Sequence, residues 1–211
     1  MRALVIGASR GIGWETLPAL TAYGHTAVAL ARTSPANAQA GVGSYLWIAG
    51  DARDPDVLLR ALENADAVIL TLGISHGELF KPVSLFSEAT KVLIEAMKKR
   101  GVLRLIVVTG FGAGRSRSSI PLLQRLPFKL LFGRAYRDKD LQEGLVVNSG
   151  LDWTIVRPGV LTNGPRTGAY QVISDPTKWR NGLVSRKDVA AFLAQQVADP
   201  TYIKRDVVLV S

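Results

Sequence analysis

The chain has 211 residues, 47% of them hydrophobic and 20% charged, which is enough apolar material for one folded core and too little charge for a disordered chain. It contains no cysteine, which excludes a disulfide framework, a thiolate metal site and a cysteine nucleophile and fits a reducing, cytoplasmic setting. The formal net charge of +9 would suit an anionic partner, but neither zinc-finger spacing nor an RNP-like aromatic motif accompanies it. Nucleic-acid binding is therefore not expected, and a polyanionic cofactor is the simpler cause.

Only four apolar residues separate Met1-Arg2 from the first glycine, so no signal peptide is expected there. No run approaches the ~20 apolar residues of a membrane span. The apolar run Ala3 to Ile6 reads as a strand and leads into Gly7-Ala8-Ser9-Arg10-Gly11-Ile12-Gly13. In a strand, turn and helix unit of this kind the first glycine permits the tight turn. The middle one lets backbone approach a pyrophosphate, and the last lets helix pack on strand. Ile12, Leu17, Leu20 and Tyr23 recur at helical spacing and Gly24 stops the helix, while Pro18, beyond the first turn, predicts a kink or a short first turn.

Thr26 to Ala31 reads as a buried second strand ending at Arg32, followed by a loop over 34–43. Tyr45 to Ala49 is a third strand ending in Gly50-Asp51, with Ala52 next, and Asp54-Pro55 opens a helix to about Asn64. Ala67 to Thr71 is a fourth strand, followed by Leu72-Gly73. Pro82 to Arg100 has the strongest helical pattern, with an apolar face from Leu85 to Met97 and Lys98, Lys99 and Arg100 in its last turn. Leu103 to Thr109 is the fifth strand, a helix over about Asp138 to Asn148 precedes a sixth at Trp153 to Val156, and Val207 to Val210 is the last. Gly168 to Ile173 reads as a short extra strand, Asp175 to Gly182 as a loop, and Ser185-Arg-Lys-Asp188 as a capping box for a helix to about Asp199. Strand and helix alternate throughout, so the expected fold is α/β, a doubly wound parallel sheet with helices on both faces and one domain spanning 1–211.

The segment 112–137 interrupts this alternation with arginines and a lysine interleaved among leucines and phenylalanines. It reads as helices capping the ligand-binding edge of the sheet, basic outside and apolar inside, or as a membrane-surface element. His25 and His76 have no partner at metal or triad spacing, and no metal site is expected.

These residues resemble the short-chain dehydrogenase/reductase superfamily, whose Gly-x-x-x-Gly-x-Gly turn matches Gly7 to Gly13. Lys139-x-x-x-Glu143, the stretch Ser149 to Gly159 with its Arg157-Pro158-Gly159, and Thr167 to Tyr170 narrow the resemblance to the atypical branch of NmrA-like proteins and flavin reductase/biliverdin IXβ reductase. The resemblance covers essentially the whole chain and implies a Rossmann-like sheet with a bound nicotinamide dinucleotide. It further implies contacts to that dinucleotide from the Gly7 to Gly13 turn, from Arg32-Thr33, Asp51-Ala52 and Leu72-Gly73, and from Thr109, Lys139 and Pro158-Gly159-Val160. Within that set Lys139 corresponds to the ribose contact, Thr109 to the residue beside the nicotinamide and Asp51 to an adenine contact. Thr109 reads equally as a β-branched strand residue, and Asp51 also as a turn aspartate bonding its own backbone.

The Tyr-x-x-x-Lys pair of the tyrosine-dependent members is one residue too long for Tyr136 and Lys139, and one residue on a helix swings a side chain by about 100°. Lys139 stays a site residue, and Tyr136 is not expected to donate a proton. An NAD-selective site carries an acidic residue about twenty positions past the glycine turn. Arg32 stands there instead, and with Arg10 it forms a possible guanidinium clamp on a 2′-phosphate, so NADP(H) is the expected cofactor. Two functional classes follow: an NADPH-dependent reductase of a flat conjugated acceptor (flavin, quinone or tetrapyrrole), or a non-catalytic NADP(H)-binding redox sensor or assembly factor. The expected partner of the reductase is a small-molecule acceptor.

Overall fold

Strand β1 (Arg2–Ile6) runs through the middle of a sheet whose order is β3-β2-β1-β4-β5-β6-β10-β8, seen in a computed structural model that describes residues 1–33, 45–73, 84–113 and 137–211. The remaining strands of this sheet are β2 (Thr26–Ala31), β3 (Leu46–Ala49), β4 (Ala67–Leu70), β5 (Arg104–Val108), β6 (Asp152–Pro158), β8 (Gln171–Ile173) and β10 (Arg205–Val210). Every pairing is parallel except that of β8 with β10. The helices are α1 (Gly11–Ala22), α2 (Pro55–Ala61), α3 (Leu85–Arg100), helical residues 137–147 (α4) and α5 (Arg186–Gln195).

Strand residues alternate between faces, and the two faces carry different side chains. Leu4, Ile6, Val28, Leu30, Val68, Leu70, Leu105 and Val107 meet Leu58, Leu62, Leu93, Met97 and Val146 from α2, α3 and α4. On the other face the small residues Ala3, Ala27, Ala29 and Ala67 lie with Ile69, Ile106 and Val156 against Leu17 and Leu20 of α1 and Val189, Phe192 and Leu193 of α5. Both sides being buried explains why the strands read as unbroken apolar runs.

Local chemistry sets the helix ends. Asp54 caps α2 by accepting from Asp56 N–H at 2.9 Å and Val57 N–H at 3.2 Å, with Pro55 at the first helical position. Gly101 ends α3 at φ +70°. Helix α1 continues through Pro18 without interruption; the proline is on the exposed face, where its ring meets solvent. The capping box takes an altered form: Ser185 Oγ accepts from Asp188 N–H at 3.0 Å, but the aspartate is too short to return to the backbone and accepts from Ser185 Oγ at 2.8 Å instead.

Three short elements are not legible in the sequence. Strands β7 (Val160–Thr162) and β9 (Leu183–Ser185) form a separate parallel pair, and the loop after Asp175 contains a 3-10 turn at Pro176–Lys178. Residues 114–136, the 34–43 loop, His76 and Tyr136 lie outside the described residues. Among the described residues no helix is long and apolar enough to cross a membrane, and no group of three His, Asp or Glu side chains is placed to hold a metal ion.

Candidate active site at the carboxyl edge of the sheet

An open α/β sheet binds its ligands beyond the carboxyl ends of the strands, where the strand order reverses. Here the reversal falls between β1 and β4, because the chain builds outward from β1 through β2 to β3 and then returns to β4. The glycine turn leaves β1 at this point. Gly7 has φ +89°, and a Cβ added there would stand 2.9 Å from the Thr71 carbonyl oxygen. At Gly13 it would stand 2.3 Å from the Gly7 carbonyl oxygen and 2.5 Å from Thr71 Oγ1. These two glycines let α1, β1 and β4 approach one another. Gly11 is different: its φ is +61° and an added Cβ would meet nothing within 4 Å.

The turn is tied down on one side and open on the other. Gly7 and Ala8 donate their N–H groups to the Leu30 carbonyl of β2 at 3.0 and 3.3 Å. Arg10, the N-cap of α1, makes no side-chain capping bond, and the first turn has no acidic residue. The positive end of the helix thus has no internal counter-charge and suits an anion.

The residues proposed from sequence follow one another along this edge. Ser9 and Arg10 are exposed in the turn and Ile12 is half-buried beside Gly13; Arg32 and Thr33 are exposed just past β2, Asp51 and Ala52 follow β3, and Leu72 and Gly73 follow β4. Thr109 directly follows β5, and Pro158, Gly159 and Val160 join β6 to β7. A Cβ on Gly159 would stand 2.2 Å from the Gly182 carbonyl oxygen, so that glycine is required by the β7–β9 contact.

Asp51 makes the turn bond considered from sequence, accepting from Arg53 N–H at 2.9 Å. It also accepts from Arg53 Nη2 at 2.7 Å and Nε at 3.1 Å. The Arg53 side chain is the main cause that holds the Asp51 carboxyl below its ordinary range, with Arg32 a smaller one. Asp51, whose carboxyl feels the charge of Arg32, is therefore already paired with another guanidinium.

Helix α4 is fixed to α3 at two points. The buried carboxylate of Asp138 accepts from Phe86 N–H at 2.8 Å and from the Ser87 hydroxyl, capping α3 where Ser84 supplies no side-chain bond. Gln142 Nε2 donates to Thr90 Oγ1 at 2.9 Å. This anchoring sets Lys139 Nζ 4.2 Å above the centre of the Phe86 ring. Burial there pulls the Lys139 ammonium down to about 8, against the opposing pull of Glu143 and Asp138.

One turn further along α4, Glu143, the second residue of the Lys139-x-x-x-Glu143 motif, is the centre of a buried polar chain whose other members that motif does not identify. Thr109 Oγ1 donates to Glu143 Oε1 at 2.8 Å, and Arg157 Nη2 donates to Glu143 Oε2 at 2.8 Å. Arg157 Nη1 donates in turn to Asp206 Oδ2 at 2.7 Å, and its guanidinium lies 5.0 Å from the Trp179 ring centre. Arg157 is only 1% exposed. A sequence signal for it exists: an arginine directly after the apolar run Trp153 to Val156 must find buried partners or cost several kcal/mol. The partners, at 143 and 206, follow only from the pairing of β6 with β10 and the placing of α4 beside β5.

The chain matches the family described as NAD(P)H-binding over residues 7–200. An uncharacterised chloroplastic protein of Arabidopsis thaliana is 31% identical over 138 residues, 64% of this chain and 49% of that protein, so the match spans about half of that relative's length. A Bacillus subtilis protein named as an uncharacterised sugar epimerase, YhfK, is 28% identical over 193 residues, 90% of this chain and 85% of its own. Among solved structures, ChuY, described as an anaerobillin reductase from Escherichia coli O157:H7, is similar at a TM-score of 0.83 and 29% identity, covering 100% of this chain and 97% of ChuY.

Proposed function

The chain belongs to the NAD(P)H-binding family, and on that premise we propose that it is an NADPH-dependent reductase delivering hydride to a flat conjugated acceptor, a flavin, a quinone or a tetrapyrrole. The observation that carries this reading is the glycine turn at the reversal of strand order, with two glycines closed against backbone and Gly11 open to space above an uncapped helix end. That cradle fits a pyrophosphate. Arg10 in the turn and Arg32 just past β2, both exposed, would supply guanidinium groups for a 2′-phosphate. In this reading Asp51-Ala52 serves the adenine half. Leu72-Gly73, Thr109, Lys139 and Pro158 to Val160 serve the nicotinamide half in the same reading.

The dinucleotide supplies the hydride when bound. This chain's residues orient it and exclude water from the reacting face. A conjugated acceptor spreads the incoming charge over its ring system, so solvent can deliver the proton and no tyrosine acid is needed. The likeness to a protein described as an anaerobillin reductase supports the tetrapyrrole end of the acceptor class.

The test is steady-state NADPH oxidation with FMN, FAD, a quinone and biliverdin. Turnover above the enzyme-free rate with at least one acceptor is expected. NADPH binding without turnover on any of them would overturn the reductase reading and leave the non-catalytic one.

A further inference from the structure

The buried chain of hydrogen bonds around Glu143 fixes the direction in which Thr109 can recognise a ligand. A carboxylate paired with a guanidinium offers acceptor oxygens only, and a hydroxyl has one proton and two lone pairs. Glu143 Oε2 is held by Arg157 at 2.8 Å, so the proton in the 2.8 Å contact between Thr109 Oγ1 and Glu143 Oε1 is the threonine's. Arg157 is in turn held by Asp206 at 2.7 Å and by the Trp179 face, and Thr109, Glu143, Arg157 and Trp179 are all buried. Resting on the function proposed above, we propose that Glu143 is a positioning residue that commits the Thr109 proton, leaving Thr109 as a hydrogen-bond acceptor that selects an N–H group, first of all the carboxamide NH₂ of the nicotinamide.

This assigns Thr109 a role opposite to that of an acid. With its proton spent on Glu143, the hydroxyl cannot polarise a carbonyl or an anionic ring oxygen of the acceptor. A ligand presenting only a carbonyl to it meets two oxygens' lone pairs face to face, whereas one presenting N–H is matched. Glutamine at position 143 would reverse the sense: its carbonyl would accept from Arg157, its NH₂ would donate to Thr109, and the threonine proton would turn outward.

The experiment compares NADP⁺ with its 3-acetylpyridine analogue, which keeps the carbonyl and replaces NH₂ by methyl, by titration calorimetry on the full chain. The wild type is expected to bind NADP⁺ about fivefold tighter than the analogue, the size of one neutral hydrogen bond. Thr109→Ser should retain that ratio, and Thr109→Val should bring it to about one by weakening NADP⁺ alone. Glu143→Gln should bring it to one or below. Because Glu143→Gln perturbs a buried ion pair and can compromise folding, the two Thr109 variants carry the test by themselves, with 2′,5′-ADP affinity confirming an intact adenine half. A ratio near one in the wild type, or a ratio untouched by Thr109→Val, overturns the assignment while leaving the reductase reading in place. Absence of any NADP⁺ binding overturns that reading, and this one with it.

Discussion

Gly11→Ala separates the cradle's role in folding from its role in binding. At φ +61° an L side chain costs roughly 1–2 kcal/mol, and because the added Cβ meets nothing within 4 Å there is no steric cost to add. In a chain of this size that is a fall of about 2–8 °C in the melting temperature. On the proposed placing of the cofactor, however, the methyl would occupy the space through which the pyrophosphate reaches the first-turn N–H groups. Losing two charge-assisted bonds of ~1.5–3 kcal/mol each should weaken NADPH by roughly 10²-fold or more. Gly13→Ala should behave in the opposite order, since its Cβ would stand 2.3 Å from a backbone carbonyl oxygen that the β1 turn cannot easily move, and overpacking of this kind costs ~1–3 kcal/mol or more. Thermal melts and NADPH titrations of the two variants check both statements. A folded Gly11→Ala protein that binds NADPH within about threefold of the wild type, a change worth under ~1 kcal/mol, would refute the placing of the pyrophosphate.

Wild-type protein should bind NADPH roughly 10²-fold tighter than NADH; Arg32→Asp should erase or invert the ratio, and rising salt should weaken NADPH more than NADH, all read by titration. Lys139 is expected to hold the ribose as an ammonium, so NADPH affinity should decline as pH rises through about 8, and Lys139→Met should flatten that dependence. The folded-state value lies below the ordinary lysine value of 10.5, so this group's contribution to stability rises with pH between the two, opposite in sign to its effect on binding. Asp188 is buried, which raises its carboxyl, but bonds from Gly168 N–H, the Ser185 hydroxyl, and the Thr167 hydroxyl and N–H bring it below its ordinary value. Its stabilisation is therefore complete above the unfolded carboxylate value of ~3.9 and is lost as pH falls through the lower folded value. Asp188→Asn should melt earlier at neutral pH and lose part of the wild type's acid sensitivity.

The legible parts of this fold are those that local chemistry decides. The second strand, Thr26–Ala31, reads directly as an apolar run between Gly24 and Arg32, and the C-terminus of α3 follows from three basic residues and Gly101. The glycine turn follows from its place after a strand. Residues decided by tertiary packing were less legible. Val160–Thr162 and Leu183–Ser185 are three-residue strands whose pairing depends on Gly159 meeting Gly182, a contact between residues distant in sequence. Asp51 had two readings, and the structure contains the turn bond because Arg53 lies two residues on. Thr109 also had two, a β-branched strand residue or a site residue, and its hydrogen bond to Glu143, 34 residues away, depends on where α4 docks. That docking rests on Asp138 capping α3, a bond no periodicity announces.

Hydride transfer from NADPH to a conjugated acceptor is tested most directly by anaerobic single turnovers with NADPH deuterated at the transferring C4 position and, in turn, biliverdin, FMN and a quinone as acceptor. Deuterium at carbon in the reduced tetrapyrrole, together with a slower turnover than with unlabelled NADPH, is the predicted result. Reduced tetrapyrrole without deuterium, or no reduced product from any of the three acceptors with protein shown to bind NADPH, would contradict it.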